Sequence, residues 1–194
     1  YATAFFYGGQ LTFANMGVWL RHQQYEQIIS IKNFSRAEIT QLWGADDLTL
    51  FNKSIEVMRT LPQPFFSTIM TLSLHQPYDV PFKSRWKGNS EREKFLNSAA
   101  FADHAIGAFF QKARQEPWFD NTVFVLVADH GHPQPGPVWM DEPRARHIPL
   151  IITGPCISPE WQGRRIGKIG NHHDIPATIL NELGISSAPF AWSK

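Results

Sequence analysis

The sequence predicts an α/β fold in which a mainly parallel sheet is flanked by helices on both faces. Strand and helix signals alternate along all 194 residues, as they do in chains built from βα units. Residues 122–128 form an apolar run that is unbroken after Thr122, which is typical of an interior strand covered on both faces. The chain opens with an apolar segment at residues 1–7 that lacks an initiator Met, so we expect the sheet to be incomplete on its amino-terminal side.

Short apolar segments bounded by turn residues predict the strands. These segments are residues 3–7, 25–31, 65–72, 122–128 and 147–153. Ligands bind beyond the carboxyl ends of the strands in open α/β sheets. His147 starts the last predicted strand, so we expect it to lie at the opposite end and to be structural.

Capping signals and one-sided apolar spacing predict three helices. They span residues 46–61, 90–115 and 174–184. Pro62 stops the first helix, and two glutamates near the start of the second suit its dipole. The third helix takes Asp174 as its N-cap, has Pro176 within its first turn and ends at Gly184.

Charge and composition exclude several classes of function. The 18 Lys and Arg residues nearly balance the 17 Asp and Glu residues, and a net charge of +1 gives no basis for binding nucleic acid. Cys156 is the single cysteine, which excludes a disulfide framework and a cysteine zinc cluster within the chain. No apolar run approaches the roughly 20 residues needed to span a bilayer, so we expect this stretch to be soluble.

The apolar run 122–128 ends at two side chains that are able to bind a metal, Asp129 and His130. An adjacent carboxylate and imidazole suit Zn, Mn or Mg. The alternative is a strand-to-loop turn in which Asp129 caps local amides. The proline-containing loop at 131–146 that follows is typical of a binding segment, although a rigid surface loop has the same composition.

Three further histidines are candidates for contact with a ligand. His75 follows the strand 65–72 and suits a donor to an anionic oxygen, or else it is a capped loop residue. His132 either faces the same cleft as His130 or lies on the surface. His173 precedes the last helix, whose amino terminus favours an anion.

Several separated segments, in one order, resemble a known family. They are residues 5–9 (FFYGG), 13–15 (FAN), 43–47 (WGADD), 64–78 (PFFSTIMTLSLHQPY), 128–131 (ADHG), 147–155 (HIPLIITGP) and 173–180 (HDIPATIL). On these segments the chain resembles the sulfatase-like branch of the alkaline phosphatase superfamily, and most closely its lipoteichoic acid synthase and phosphoglycerol transferase group. The resemblance implies an alkaline phosphatase-like fold over a single domain, residues 1–194, forming the carboxyl-terminal part of the catalytic domain.

The resemblance also implies a set of site residues. Asp129 and His130 would be ligands of a catalytic divalent metal, which is Mn, Mg, Zn or Ca in different branches. His75 would contact the phosphate-type group of the substrate. In this family the nucleophile, a hydroxyl or a formylglycine, comes from an upstream turn. We therefore expect no catalytic nucleophile within the chain, and we expect the fragment alone to be inactive.

The resemblance further implies a parent enzyme that acts on an anionic lipid or glycan headgroup. Amino-terminal helices would anchor it in the cytoplasmic membrane, with this domain on the outer face. A His, a Trp and an Arg hold glycerol phosphate in lipoteichoic acid synthases, whereas Tyr7, Ala14 and Met16 occupy those positions here. Replacing the Arg removes a bidentate phosphate partner, so the resemblance does not specify glycerol phosphate as the headgroup. Two alternatives are a sulfatase that hydrolyses sulfuric esters and a degenerate, non-catalytic module that binds a glycan or lipid headgroup.

Overall fold

A computed structural model describes residues 1–136, 138–139 and 141–193. Two positions of the predicted binding loop, Pro137 and Met140, lie outside these described residues. The described chain forms two compact units, the first spanning Tyr1–Cys156 and the second beginning at Ile157.

The first unit contains a three-stranded parallel sheet with the strand order β2-β1-β3. Its strands are β1 Ala2–Tyr7, β2 Gln27–Ile29 and β3 Phe65–Met70. All of β1 pairs with β3, whereas only its central residues pair with β2. The three predicted strands are confirmed, but β2 is shorter than residues 25–31. It ends at Ile29 because a 3-10 turn with a capping box at Ser30 follows it directly.

The described residues include four α-helices. They are α1 Met16–His22, α2 Asp47–Met58, α3 Glu91–Ala113 and α4 Asp174–Glu182. Before α2, the Thr49 amide donates to the Asp46 side chain at 3.1 Å, and α3 begins with a capping box of Ser90 and Glu93. These caps confirm the predicted helix starts. The sequence did not predict α1, which has seven residues and an N-cap, Asn15, that makes no side-chain capping bond.

The core of the first unit lies on both faces of β1. Ala4 and Phe6 pack on one face with apolar side chains of α2 and α3. Phe5 and Tyr7 alternate to the other face, where Leu20 of α1 is buried. The Phe6 side chain is fully buried, which contributes about 2–3 kcal/mol. Helices therefore cover both faces of the parallel sheet, as predicted.

The prediction that residues 122–128 form an interior strand of the parallel sheet is wrong. In the described residues, β4 Phe124–Val127 pairs antiparallel with β5 Leu150–Thr153 in a separate two-stranded sheet. Phe124 packs against aromatic side chains at the end of α3 and just beyond it, whereas Val123 is 45% exposed. An apolar run signals burial but carries no information about the direction of the neighbouring strand. The fold class remains α/β, with a mainly parallel sheet.

The second unit contains α4 and a 3-10 turn at Pro159–Trp161. The predicted N-cap of α4 is wrong by one position. Asp174 is the first helical residue, and its carboxylate accepts the Asn171 amide at 2.8 Å, while His173 takes the N-cap position without a side-chain capping bond. Among the helices of the described chain, none has both the length and the apolar composition to cross a membrane.

Candidate functional site

Asp129 and His130 follow the carboxyl end of β4, and their exposed side chains converge. The Asp129 Oδ2 and His130 Nε2 atoms lie 3.4 Å apart. Two ligands of one metal stand about 3.0–3.4 Å apart when each bond is about 2.1 Å long and the angle between them is about 90–110°. The two atoms therefore have the spacing of neighbouring ligands on one cation.

A second polar atom fixes the orientation of each side chain. The His130 amide donates to Asp129 Oδ1 at 2.9 Å, which directs Oδ2 outward. His130 Nδ1 lies 2.8 Å from the Gly131 carbonyl oxygen, which can only accept, so Nδ1 carries the proton. The neutral ring then presents the Nε2 lone pair, as metal-binding histidines commonly do. The predicted amide cap is therefore present, and it leaves one oxygen of Asp129 for a metal.

Gly131 brings this pair close to the turn that precedes β5. A Cβ atom at Gly131 would lie 1.6 Å from the Ala145 carbonyl oxygen, so only glycine permits this approach. Ala145 is buried within a 3-10 turn, Pro143–Arg146. The loop that follows the Asp-His pair thus packs directly against the backbone of this turn.

His75 lies on the exposed loop that follows β3. Its Nδ1 atom is 2.8 Å from the Gln76 carbonyl oxygen, and the Trp43 indole donates to the same oxygen at 2.6 Å. The Trp43 and His75 rings meet edge to face at 5.3 Å. Since Nδ1 donates to a carbonyl, Nε2 is the ring atom that is left available for another partner.

Close backbone contact holds the segment that carries Trp43. A Cβ atom at Gly44, where φ is +152°, would lie 2.0 Å from the Gly8 carbonyl oxygen, and one at Gly8 would lie 2.4 Å from the Ala45 carbonyl oxygen. The two glycine-containing motifs of the sequence therefore interlock. This contact joins the carboxyl end of β1 to the loop before α2.

A buried carboxylate fixes the chain just before His75. The Leu72 amide donates to Asp47 Oδ1 at 2.7 Å, and the Ser73 amide lies 3.3 Å from both carboxylate oxygens. Burial raises the pKa of Asp47, while these amide hydrogen bonds act in the opposite direction. Asp47, at the start of α2, thus serves as an anchor for the end of β3.

The His132 ring is half-buried and has a partner at each nitrogen. The Gln134 amide donates to Nδ1 at 3.0 Å, and Nε2 lies 3.0 Å from the Tyr78 hydroxyl oxygen. The ring stacks on Phe95 at 4.7 Å with an angle of 8°. Burial lowers the pKa of His132, which favours the neutral ring. Direct substrate contact by His132 stays a prediction.

The antiparallel register corrects the expectation for His147. Val127 of β4 pairs with Leu150 of β5, so the amino-terminal end of β5 lies at the carboxyl end of β4. His147, three residues before Leu150, therefore enters β5 at the Asp129 end rather than at the opposite end. The prediction was wrong because it assumed a parallel strand.

His173 belongs to the second unit and is described by its own contacts. Its amide donates to the Asn171 side-chain oxygen at 2.8 Å, and its Nδ1 lies 3.1 Å from the same atom. Its anion-binding role stays a prediction. Across residues 1–136, 138–139 and 141–193, no three His, Cys, Asp or Glu side chains group closely enough to hold a metal. Asp129 and His130 are thus two candidate ligands, and no third such side chain joins them within the described chain.

The family model described as Sulfatase matches residues 1–185 of the chain. The chain belongs to the sulfatase family. Lipoteichoic acid synthase 2 of Bacillus subtilis (strain 168) is 26% identical to this sulfatase-family chain over its full length. The match covers 32% of that relative, so the chain spans about a third of the curated relatives it matches.

Two solved structures share the fold of this sulfatase-family chain. A protein in the alkaline phosphatase superfamily from Vibrio parahaemolyticus is 32% identical, with a TM-score of 0.79 over 95% of this chain and 45% of that one. The lipoteichoic acid synthase LtaP from Listeria monocytogenes is 20% identical, with a TM-score of 0.77 over 96% of this chain and 50% of that one. The predicted family and the alkaline phosphatase-like fold class are confirmed.

The sequence patterns do not indicate the roles of three residues around the candidate site. Trp43 holds the loop of His75, and Tyr78 and Phe95 enclose His132. Trp43 and Tyr78 lie in segments that resemble the family, but the residues to which their side chains bond are 33 and 54 positions away in sequence. Local spacing does not encode such contacts, so the motifs indicated importance without indicating a role.

Proposed function

We propose that this chain is the carboxyl-terminal part, residues 1–194, of the catalytic domain of a metal-dependent enzyme that transfers or hydrolyses phosphodiester headgroups. The observation that carries the proposal is the 3.4 Å approach of Asp129 Oδ2 to His130 Nε2 at the carboxyl end of β4. Membership of the sulfatase family and similarity to lipoteichoic acid synthases support it.

Asp129 and His130 are the residues that would hold a divalent metal, with Mn, Mg, Zn and Ca as the candidates. The donor set fits, because a carboxylate oxygen and a neutral imidazole nitrogen are ligands for such cations. When bound, the cation supplies positive charge that stabilises oxygen anions of the reacting ester. The remaining ligands and the hydroxyl or formylglycine nucleophile are assigned to the upstream part of the parent protein. The fragment alone is accordingly expected to be inactive.

His75 is assigned to the anionic group of the substrate. Its Nδ1–H is held by the Gln76 carbonyl, so Nε2 is the ring atom that would face a phosphate-type oxygen. The exposed position of the ring leaves it accessible to a substrate. Its orientation is fixed through Trp43, which limits the reorganisation needed when charge develops.

The substrate is proposed to be an anionic lipid or glycan headgroup of the phosphoglycerol type. Tyr7 is buried, its ring lies against Gly9, and burial raises its pKa, so it contributes packing and stays uncharged. With Met16 where lipoteichoic acid synthases carry an Arg, the headgroup is expected to differ from theirs in its phosphate contacts. The parent is proposed to be anchored in the cytoplasmic membrane with this domain on the outer face.

Two other functions remain as alternatives for the same fold. The family model is described as Sulfatase, which favours hydrolysis of sulfuric esters as the second candidate. The exchanges at Tyr7, Ala14 and Met16 favour a non-catalytic module that binds a glycan or lipid headgroup.

Turnover by the full-length protein distinguishes these functions. A phosphoglycerol lipid analogue and an aryl sulfate are supplied in parallel, with Mn²⁺ and then with a chelator. We expect metal-dependent cleavage of the phosphodiester only. Cleavage of only the sulfate would establish the sulfatase, and neither activity in folded protein would favour the binding module.

A further inference from the structure

A hydrogen bond between Tyr78 and His132 joins the two loops that carry the candidate site. Tyr78 lies three residues after His75, and His132 lies two residues after His130. The Tyr78 hydroxyl oxygen is 3.0 Å from His132 Nε2. The loop after β3 and the loop after β4 are therefore linked by side chains whose residues are 54 positions apart.

The direction of this hydrogen bond follows from the other ring nitrogen. The Gln134 amide is a donor and lies 3.0 Å from His132 Nδ1, so Nδ1 accepts. In the neutral ring Nε2 then carries the proton and donates it to the Tyr78 oxygen. Both nitrogens are engaged within the protein, which leaves the ring suited to holding a loop in place.

Aromatic packing reinforces the hydrogen bond. The His132 ring stacks on Phe95 at 4.7 Å, and the Tyr78 ring meets Phe95 edge to face at 5.8 Å and His132 at 6.1 Å. Tyr78 is 6% exposed and has a φ of +64°, a strained conformation for a residue with a Cβ atom. Side-chain packing therefore stabilises a backbone shape that the chain would otherwise avoid.

Tyr78 also contacts the backbone of His75 directly. Its amide donates to the His75 carbonyl oxygen at 3.0 Å. The first turn of α3 adds support to both loops, because Arg92 donates to the Pro135 carbonyl at 3.0 Å and Gln76 bonds to Glu91. The loops of His75 and His130 are thus fixed to one helix and to each other.

We propose that Tyr78 and His132 form a positioning pair that sets the placement of His75 relative to Asp129 and His130. Neither residue of the pair contacts reacting atoms in this assignment. The effect of the pair on turnover rests on the proposed function, whereas its coupling of the two loops does not.

The test compares Tyr78→Phe with Tyr25→Phe in the full-length protein. Each variant removes one tyrosine hydroxyl from a hydrogen bond, and the control bond, from Tyr25 to Thr68, measures 3.1 Å. Side-chain NMR of ¹⁵N-histidine-labelled protein reports on His75 and His130 without metal or substrate. We expect Tyr78→Phe to shift both ring signals and the control to shift neither. Unchanged rings in folded Tyr78→Phe would overturn the proposal.

Turnover provides the second readout. Tyr78→Phe is expected to lower kcat by about 10-fold to 100-fold while KM changes less than about twofold, because positioning acts on the reacting geometry. His132→Phe keeps the stacking on Phe95 and should behave alike, and the double variant should be no worse than either alone. Losses that multiply in the double variant would overturn the pair.

A third variant distinguishes loss of positioning from loss of folding. His132→Gln places an amide N–H near the position of Nε2. Compared with His132→Phe, it should return the ring signals of His75 and His130 towards those of the unsubstituted protein and recover part of the turnover. If these signals shift as expected while the unsubstituted protein cleaves no phosphodiester, the pair stands and the proposed function fails.

Discussion

The imidazole of His75 meets the indole of Trp43 edge to face, with ring centroids 5.3 Å apart. The carbonyl oxygen of Gln76 lies within hydrogen-bond distance of both rings, at 2.8 Å from His75 Nδ1 and 2.6 Å from Trp43 Nε1. This shared acceptor fixes which nitrogen of His75 points outward. The candidate substrate contact is therefore oriented before any substrate binds.

His75→Gln is predicted to impair turnover without affecting the metal. The substitution removes the imidazole that is assigned to the anionic group of the substrate, so phosphodiester turnover should fall by about 100-fold or more. Metal affinity should stay within about twofold, since His75 is not assigned as a ligand. Steady-state kinetics and metal titration of the full-length protein provide the comparison. His104→Gln, on the exposed face of α3, is the matched control, and equal turnover in the two variants would contradict the assignment.

Gly131→Ala is predicted to destabilise the fold. The new Cβ atom would meet the Ala145 carbonyl oxygen at 1.6 Å, so the backbone must move, at an expected loss of about 1–3 kcal/mol in unfolding free energy. Gly107→Ala in α3 is the control, because a Cβ atom there has no neighbour within 4 Å. It should raise the unfolding free energy by about 0.5–1 kcal/mol. Urea unfolding measures both, and equal effects would refute the close contact.

Asp47 is predicted to make stability depend on pH. Burial raises its pKa, so the folded chain binds this proton more tightly than the unfolded chain. Its stabilising contribution is therefore full below about pH 4, the pKa of an unfolded aspartate, and is lost as the pH rises through the raised folded value. Asp47→Asn removes this dependence. The loss of unfolding free energy in Asp47→Asn, relative to the unsubstituted protein, should be smaller at pH 7 than at pH 4. Urea unfolding that shows a larger loss at pH 7 would contradict this sign.

Local patterns were sufficient to predict the framework of the fold. The caps at Asp46 and Ser90 indicate where α2 and α3 begin, because a side-chain acceptor satisfies the first helical amides. The short apolar segments indicate β1 and β3. Asp129 and His130 stand out because they end an apolar strand, and the structure brings Asp129 Oδ2 and His130 Nε2 to 3.4 Å from each other.

Contacts between distant segments were beyond such patterns. The sequence does not reveal that β5 runs antiparallel to β4, which reversed the placement of His147. It also gives no sign that Tyr78 meets His132, since each residue is compatible with an ordinary loop. These features depend on tertiary packing rather than on periodicity or caps.

The first measurement to make is Mn²⁺-dependent turnover of a phosphoglycerol lipid analogue by the full-length protein and its Asp129→Ala variant. Asp103→Ala is the matched control, because Asp103 and His104 form a second Asp-His pair that is exposed on α3. Asp129→Ala should lower both Mn²⁺ affinity and turnover by at least about 100-fold, while Asp103→Ala leaves both within about twofold. Metal-dependent turnover that survives Asp129→Ala at the parent rate would contradict the proposed metal site.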